Sequence, residues 1–321
     1  MNRTPQPTGV SFSVIIPVHN RAEVVERTLR SVASQTYSQF ELILVDNAST
    51  DHSLQVLEDF ASGHSSMHIT VAVEPKPGAC AARNRGLAMA SGEWVAFFDS
   101  DDVMHPTLLE SYAQCISACQ GNADIVMAGG RIIAPDGHVE RQMPLFTTDC
   151  IGHQLLHSML STQCYAVRRS TIEAVGGWDE ALPRWQDYEL GARLLLGGAR
   201  ITAVPEVLID VMMSGEASIT GTSFSRQHEQ LEHVLDLVTR HIDTSQATNK
   251  RRLKRLVDFR RLSLAATYDS EGNRDLAASL LSKAMAGLKP NRAMHRVLMW
   301  LYRRIASGKR GSARVAHLLI R

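Results

Sequence analysis

Four short apolar runs, each closed by polar or helix-forming residues, constrain this chain more than any other feature. They are Ser13-Val-Ile-Ile-Pro17, Phe40-Glu-Leu-Ile-Leu-Val45, His68-Ile-Thr-Val-Ala-Val73 and Gly92-Glu-Trp-Val-Ala-Phe-Phe98. Runs of this length, bounded by breakers, read as buried strands rather than helices. Between them, residues 21–36 place Val24, Val25, Leu29 and Val32 at helical spacing. Residues 51–61 form a second helical segment, with Ser49, Thr50 or Asp51 as its cap, and residues 79–90 are Ala-rich. Strand–helix alternation in such short steps predicts an α/β fold: a mostly parallel sheet with helices on both faces. The near-continuous apolar strands fit burial on both sides.

Beyond Pro106, where a further helix is expected, the pattern loosens. Asp124-Ile-Val-Met-Ala128 and Gln163-Cys-Tyr-Ala-Val167 read as strands, with a turn at Pro135-Asp-Gly137, and a helix is expected from Asp187 to Leu196. Residues 225–306 read as a run of helices, one stretch of which resembles a single helical-hairpin repeat; one copy is no array. Charge divides the chain near the same place. Residues 225–321 hold 20 Lys+Arg against 8 Asp+Glu, while 1–224 hold 14 against 25. The 321 residues suggest two units or one large domain with an appendage. The expected organisation is a flexible leader at 1–10, an α/β domain at 11–224 and a basic all-helical region at 225–321.

Composition narrows the class. With 44% hydrophobic and 21% charged residues the chain is an ordinary globular one, neither disordered, collagenous nor a disulfide scaffold. No stretch approaches the ~18–20 apolar residues of a membrane span, and the N-terminal run does not read as a signal peptide. Five cysteines (Cys80, Cys115, Cys119, Cys150, Cys164) without a Cys-x-x-Cys suit a reduced cytosolic setting.

In an open parallel sheet, ligands bind beyond the carboxyl ends of the strands. Asp46 follows one apolar run, and Asp99, Asp101 and Asp102 follow another, so both acidic groups are sent to one rim. Three carboxylates in four loop residues repel one another unless a cation joins them. Oxygen-only ligands suit Mg²⁺ or Mn²⁺, which is commonly held by one or two carboxylates plus substrate phosphates. An isolated Asp-x-Asp is more often a helix cap with extra acids near the macrodipole.

The order of four segments adds to that reading. Ser13-Val-Ile-Ile-Pro-Val-His-Asn-Arg21, Val45-Asp-Asn-Ala-Ser-Thr-Asp51, Ala82-Arg-Asn-Arg-Gly86 and Phe98-Asp-Ser-Asp-Asp102 together resemble the family 2 glycosyltransferases of the GT-A fold, over roughly 13–220. The resemblance implies a nucleotide-diphosphate sugar donor (a UDP-sugar), a hydroxyl acceptor on a glycan, lipid-linked or protein-linked carrier, inversion at the anomeric carbon, and a place in cell-surface polysaccharide or glycoconjugate synthesis. By position it implies that Pro17, His19, Asn20, Asp46, Arg83, Asp99 and Ser100 line the donor pocket. Asp101, with Asp99, would hold the Mg²⁺ or Mn²⁺ ion, and Asp102 would support the loop. Gly176-Gly-Trp-Asp-Glu180 and Trp185-Gln-Asp-Tyr-Glu-Leu190 resemble the acceptor side, with Asp187 as general base. Trp178 and Trp185 are candidate sugar platforms, and Glu189 competes with Asp187. A helix N-terminus would keep Asp187 ionised. Three departures stand out: Asn47 where a second Asp is common, Gln186 where an acid usually precedes the base, and no histidine in 211–220, where Ser218 or Thr220 would substitute.

Two other classes remain open. A non-catalytic sugar-nucleotide-binding or scaffold protein is allowed by Asn47 and Gln186. A nucleotidyltransferase would want a Gly-rich loop after the first strand, which Pro17-Val-His-Asn20 is not. The absence of G-x-G-x-x-G there also disfavours a dinucleotide dehydrogenase. His153 and His157 have Zn²⁺ spacing without further ligands, so a surface or packed pair is expected. The basic tail, with Trp300 among Arg and Leu, suggests either docking on the acidic body or peripheral contact with an anionic membrane at its inner face. Nucleic acid is not an expected partner, since the basic stretches lack stacking platforms.

Overall fold

The structure, a computed structural model, describes residues 9–213, 223–308 and 312–320. Most of the expected leader therefore lies outside the described residues, as do Ser218 and Thr220. In chain order the first half runs β1 (Phe12–Val18), α1 (Val25–Ala33), β2 (Phe40–Asp46), α2 (Ser53–Gly63), β3 (Ile69–Val73), α3 (Ala79–Met89), β4 (Trp94–Phe97), β5 (Val103–Met104), α4 (Leu108–Ala118), β6 (Ile125–Ile133) and β7 (Val139–Gln142). Then come α5 (Cys150–His157), β8 (Tyr165–Arg168), α6 (Arg169–Ala174), α7 (Gln186–Leu196) and β9 (Ile201–Met212). Helices α8 (His228–Thr244), α9 (Lys250–Ser270), α10 (Arg274–Leu288), α11 (Arg292–Ala306) and α12 (Ser312–Leu319) complete the described chain.

The described residues divide into two compact units, each with its own core. The first takes in the chain up to Thr147, Leu160–Ala181 and β9. The second takes in Thr148–Met159, Leu182–Gly197 and the helices from α8 onward. The change of charge near 224 therefore does not coincide with the change of compact unit: α5 and α7 fall with the C-terminal helices.

All nine strands lie in the first unit, in the order β3-β2-β1-β4-β8-β6-β9-β5, with β7 paired to β6. Strands β3, β2, β1 and β4 are parallel, as the alternation predicts. β6 and β9 also pair in parallel, whereas β8, β5 and β7 pair antiparallel, so the sheet as a whole is mixed. Every residue of β1 is buried, because sheet neighbours and helices cover it on all sides. Helix α3 lies close on β1 at Gly86, where a Cβ would come within 2.4 Å of Ile15 Cγ2. Only glycine permits that approach, and it fixes where the side chains of α3 emerge.

The second unit is helical. Leu155, Leu156, Tyr188 and Ala192 of α5 and α7 share a core with Leu235 of α8, Leu256 and Phe259 of α9, Leu280 of α10 and Leu301 of α11. The long β9 and the short β5 and β7 had no counterpart in the apolar pattern. Strand β7 is exposed throughout and carries no alternation to read.

Candidate active site

The first unit gathers its polar residues at the carboxyl ends of β1, β2 and β4. Pro17 is buried within β1, and the chain turns out of the strand at Asn20, whose φ is +50°. Asparagine tolerates that left-handed backbone because its short side chain bonds locally. Here Asn20 Oδ1 accepts from the Thr50 backbone N–H at 2.8 Å, and Asn20 N–H donates to Ser49 Oγ at 3.1 Å. His19 is exposed, with Nδ1 2.7 Å from the Asn47 carbonyl oxygen.

Asp46 closes β2 and is 3% exposed. Its Oδ2 accepts from Ser49 N–H at 3.1 Å, while its Oδ1 is buried with no hydrogen-bond partner among the described residues. Native proteins leave few buried polar atoms unsatisfied, so this acceptor calls for a donor from elsewhere. The neighbouring Asn47 is a clamp. Its Nδ2 donates to the carbonyls of Glu74 (3.0 Å) and Lys76 (2.7 Å), and its Oδ1 accepts from Gly78 N–H at 2.8 Å. A carboxylate here would have nothing to donate to two carbonyls, which is why asparagine occupies this position.

Beyond β4, Asp99 Oδ1 accepts from Arg83 Nη2 at 2.8 Å. Arg83 is 6% exposed, and its guanidinium lies 4.6 Å over the Trp178 ring. Ser100 beside Asp99 is buried. Asp101 is half-buried, 3.7 Å from Arg21, and its backbone carbonyl accepts from Arg27 at 2.7 Å. Burial, and then the charge of Asp99, raise the Asp101 pKa. Asp102 is buried; its Oδ1 accepts from Met212 N–H at 2.9 Å and its carbonyl from Thr28 Oγ1 at 2.8 Å. Burial, and then Asp99, hold its carboxyl well above the ordinary value. Asp102 thus ties the loop to β9 and α1.

The segment Gly176–Ala181 is fastened to α3. Asn84 accepts from Trp178 N–H (2.9 Å) and donates to the Trp178 carbonyl (2.9 Å) and to Glu180 (2.7 Å). Lys76 donates to the other Glu180 oxygen at 2.6 Å. Gly177 makes the turn possible at φ +72°, where a Cβ would sit 2.8 Å from Asn84 Oδ1. Trp178 itself is 2% exposed and packs edge-on to Phe97 at 5.2 Å. The expectation that it offers a sugar platform is therefore corrected. Its ring is core, and its face is taken by Arg83.

The remaining expected residues belong to the second unit. Trp185, at φ +54°, is the N-cap of α7, and Asp187 lies in its first turn, half-exposed. Asp187 Oδ1 accepts from the Tyr188 backbone N–H at 2.8 Å. The Trp185 ring packs 5.6 Å from Tyr188, with the Arg260 guanidinium 4.8 Å over it. Arg260 donates to the Leu156 carbonyl at 2.8 Å, and the charge of Asp187 acts on it. Gln186 donates to the Leu182 carbonyl at 2.9 Å, so both Asn47 and Gln186 have structural uses. Glu189 is no competitor for the base. It is 1% exposed and bound by Arg193 (2.5 and 2.7 Å) and His241 (2.9 Å). Burial pushes its pKa up, but the hydrogen bonds from His241 and Arg193 outweigh that and hold it below the ordinary value.

Sequence reading assigned no role to Arg21, Arg27, Lys76, Asn84 or Glu180. Asn84 and Glu180 stand inside quoted motifs, but their pairing joins residues 96 apart and has no local signal. Among the described residues no group of three or more His, Cys, Asp or Glu is arranged to hold a metal. His153 stacks on His157 (5.7 Å) and on His317 (4.5 Å), which the sequence did not place beside it.

The acidic loop beyond β4 and the buried Arg83 of α3 come together in the first unit, which is built on parallel strands. Residues 13–175 match the family model described as Glycosyl transferase family 2. The chain is 30% identical over 231 residues to the amylovoran biosynthesis glycosyltransferase AmsB of Erwinia amylovora, a match covering 68% of this chain and 73% of that one. The chain belongs to the family 2 glycosyltransferases. Its fold resembles that of S. aureus TarS 1-349, solved in complex with UDP-GlcNAc, with a TM-score of 0.71 and 20% identity over 93% of this chain and 88% of that one. It also resembles the mannosyltransferase PcManGT of Pyrobaculum calidifontis, solved with GDP-Man and Mn²⁺ (TM-score 0.57, 18% identity, 95% of this chain and 88% of that one). The expected GT-A fold is thereby shown.

Proposed function

We propose that this chain is an inverting, metal-assisted glycosyltransferase that moves a sugar from a UDP-sugar to an acceptor hydroxyl in cell-surface polysaccharide or glycoconjugate synthesis. The observation that carries the donor side is the buried, partnerless Oδ1 of Asp46 at the end of β2. A nucleobase N–H would supply the missing donor, with His19 and Asn20 at the end of β1, Asp99 beyond β4 and Arg83 on α3. The amylovoran biosynthesis role named for the Erwinia relative supports the polysaccharide setting. UDP-GlcNAc in the TarS complex supports the donor class.

The donor set fits a hard cation. Asp99 and Asp101 offer oxygen alone, and burial, then the charge of Asp99, raise the pKa of Asp101. Mn²⁺ in the complex of the Pyrobaculum neighbour supports that choice over none. Asp101 and Asp99 would hold the ion, which when bound neutralises the charge of the diphosphate leaving group. Arg83 adds a fixed cation on the same rim, held by Asp99 and the Trp178 face. Asp187 is the base that accepts the acceptor hydroxyl proton. It lies in the first turn of α7, and Glu189 is committed to Arg193 and His241.

Incubation with a panel of nucleotide sugars and Mn²⁺ tests the reading. One UDP-sugar should raise the melting temperature and be consumed, giving a product of inverted anomeric configuration. Asp187→Asn should lower transfer by about 10²–10⁴-fold with donor affinity unchanged. Retention of configuration, or full activity of Asp187→Asn, would overturn it.

A further inference from the structure

The C-terminal cations fall into two groups that the sequence does not distinguish. Several of those of α9 are occupied within the second unit. Arg252 pairs with Asp149, Lys254 with Asp243, and Arg261 with Asp236 and Asp258. Lys283 of α10 also pairs with Asp236. Helix α11 is different. No Asp or Glu follows Asp275 in the chain, whereas ten Lys and Arg do. Leu298, Leu301 and Tyr302 bury one side of α11 in the helical core. At 100° per residue, Arg292, Arg296, Trp300 and Arg303 fall within about 80° of arc on the opposite side. All four are exposed. Trp300 is 54% exposed, and Arg304 lies 5.7 Å over its ring. No carboxylate among the described residues pairs with Arg292, Arg296 or Arg303. Arg292, His295 and Arg296 also line an open depression of about 380 Å³ with Pro290 and Asn291.

We propose that this face of α11 docks on an anionic lipid bilayer. Charge complementarity selects the occupant. Three uncompensated guanidiniums suit phosphate head groups, and an exposed indole among them suits the boundary between head groups and acyl chains. A folded acidic partner would leave the indole without an apolar layer to enter. A nucleic acid would engage the arginines but needs no tryptophan in this position. The inference stands apart from the transferase reading, since it concerns a face of the second unit and is tested by binding alone.

The full chain should cosediment with phosphatidylglycerol/phosphatidylcholine vesicles at low salt and not with pure phosphatidylcholine vesicles. Binding should weaken steeply with salt. At about a fivefold effect per cation, the triple variant Arg292→Glu, Arg296→Glu, Arg303→Glu should lose more than a hundredfold in partitioning. Anionic vesicles should blue-shift the tryptophan emission of the unmodified chain, and Trp300→Phe should remove that shift without losing the fold. Failure to bind anionic vesicles at low salt would overturn the proposal. So would unchanged binding of the triple variant, or heparin binding of equal strength with no emission shift on vesicles.

Discussion

At Asn47 and Glu189 the chain departs from, or tempts, a reading made by motif alone, and in both cases the hydrogen bonds decide. Asn47 spans three backbone groups on the Glu74–Gly78 turn, so only a side chain with both donors and an acceptor serves. Asn47→Asp would face a carboxylate toward two carbonyls. It should cost about 2–4 kcal/mol in a denaturant unfolding titration, and an unchanged midpoint would refute the clamp. Glu189 is bound by Arg193 and His241 in the helical core. Because its folded pKa is lowered, its stabilising contribution is complete above the ordinary carboxylate value of about 4.3. It is lost as pH falls through the folded value. Glu189→Gln should lower stability at pH 7 by about 3 kcal/mol and flatten the acid side of the stability profile. Equal acid sensitivity in variant and parent would contradict that. The positions of Asp46 and Asp101 at strand ends were legible from the sequence because each follows an apolar run. The role of Asn47 was not, since its partners are backbone atoms.

Helix α3 does most to organise the donor rim. Gly86 sets its depth on β1, Arg83 reaches Asp99, and Asn84 grips the Gly176–Ala181 segment. Trp178 enters through this helix, covering the Arg83 guanidinium at 4.6 Å. A cation–π contact of this kind is worth about 1 kcal/mol, so Trp178→Leu should weaken UDP binding about fivefold while Trp178→Phe largely preserves it. Equal UDP affinity in all three proteins, measured by calorimetry, would show that the ring serves the core alone. The motif Gly-Gly-Trp-Asp-Glu pointed to a functional segment. That it faces α3 depends on a contact between residues about ninety positions apart, which no local pattern carries.

For the whole molecule, the parallel half of the sheet was legible because four strands buried on both faces leave unbroken apolar runs. The antiparallel strands were not. β5 has two residues and β7 is fully exposed. The grouping of α5 and α7 with the C-terminal helices was hidden for a related reason: an amphipathic helix shows that it has a partner, not which one. Their apolar faces meet α8 and α9, and charge counting placed the boundary some forty residues after α7 begins. No described helix is long and apolar enough to cross a membrane. If the proposed function holds, the rim of the first unit binds a nucleoside diphosphate and a divalent cation together. Calorimetric titration of UDP with and without Mn²⁺, on the unmodified chain and on Asp101→Asn, tests it most directly. Mn²⁺ should strengthen UDP binding at least tenfold, and Asp101→Asn, folded and of unchanged stability, should abolish the gain. Equal UDP affinity with and without Mn²⁺ in the unmodified chain would contradict it.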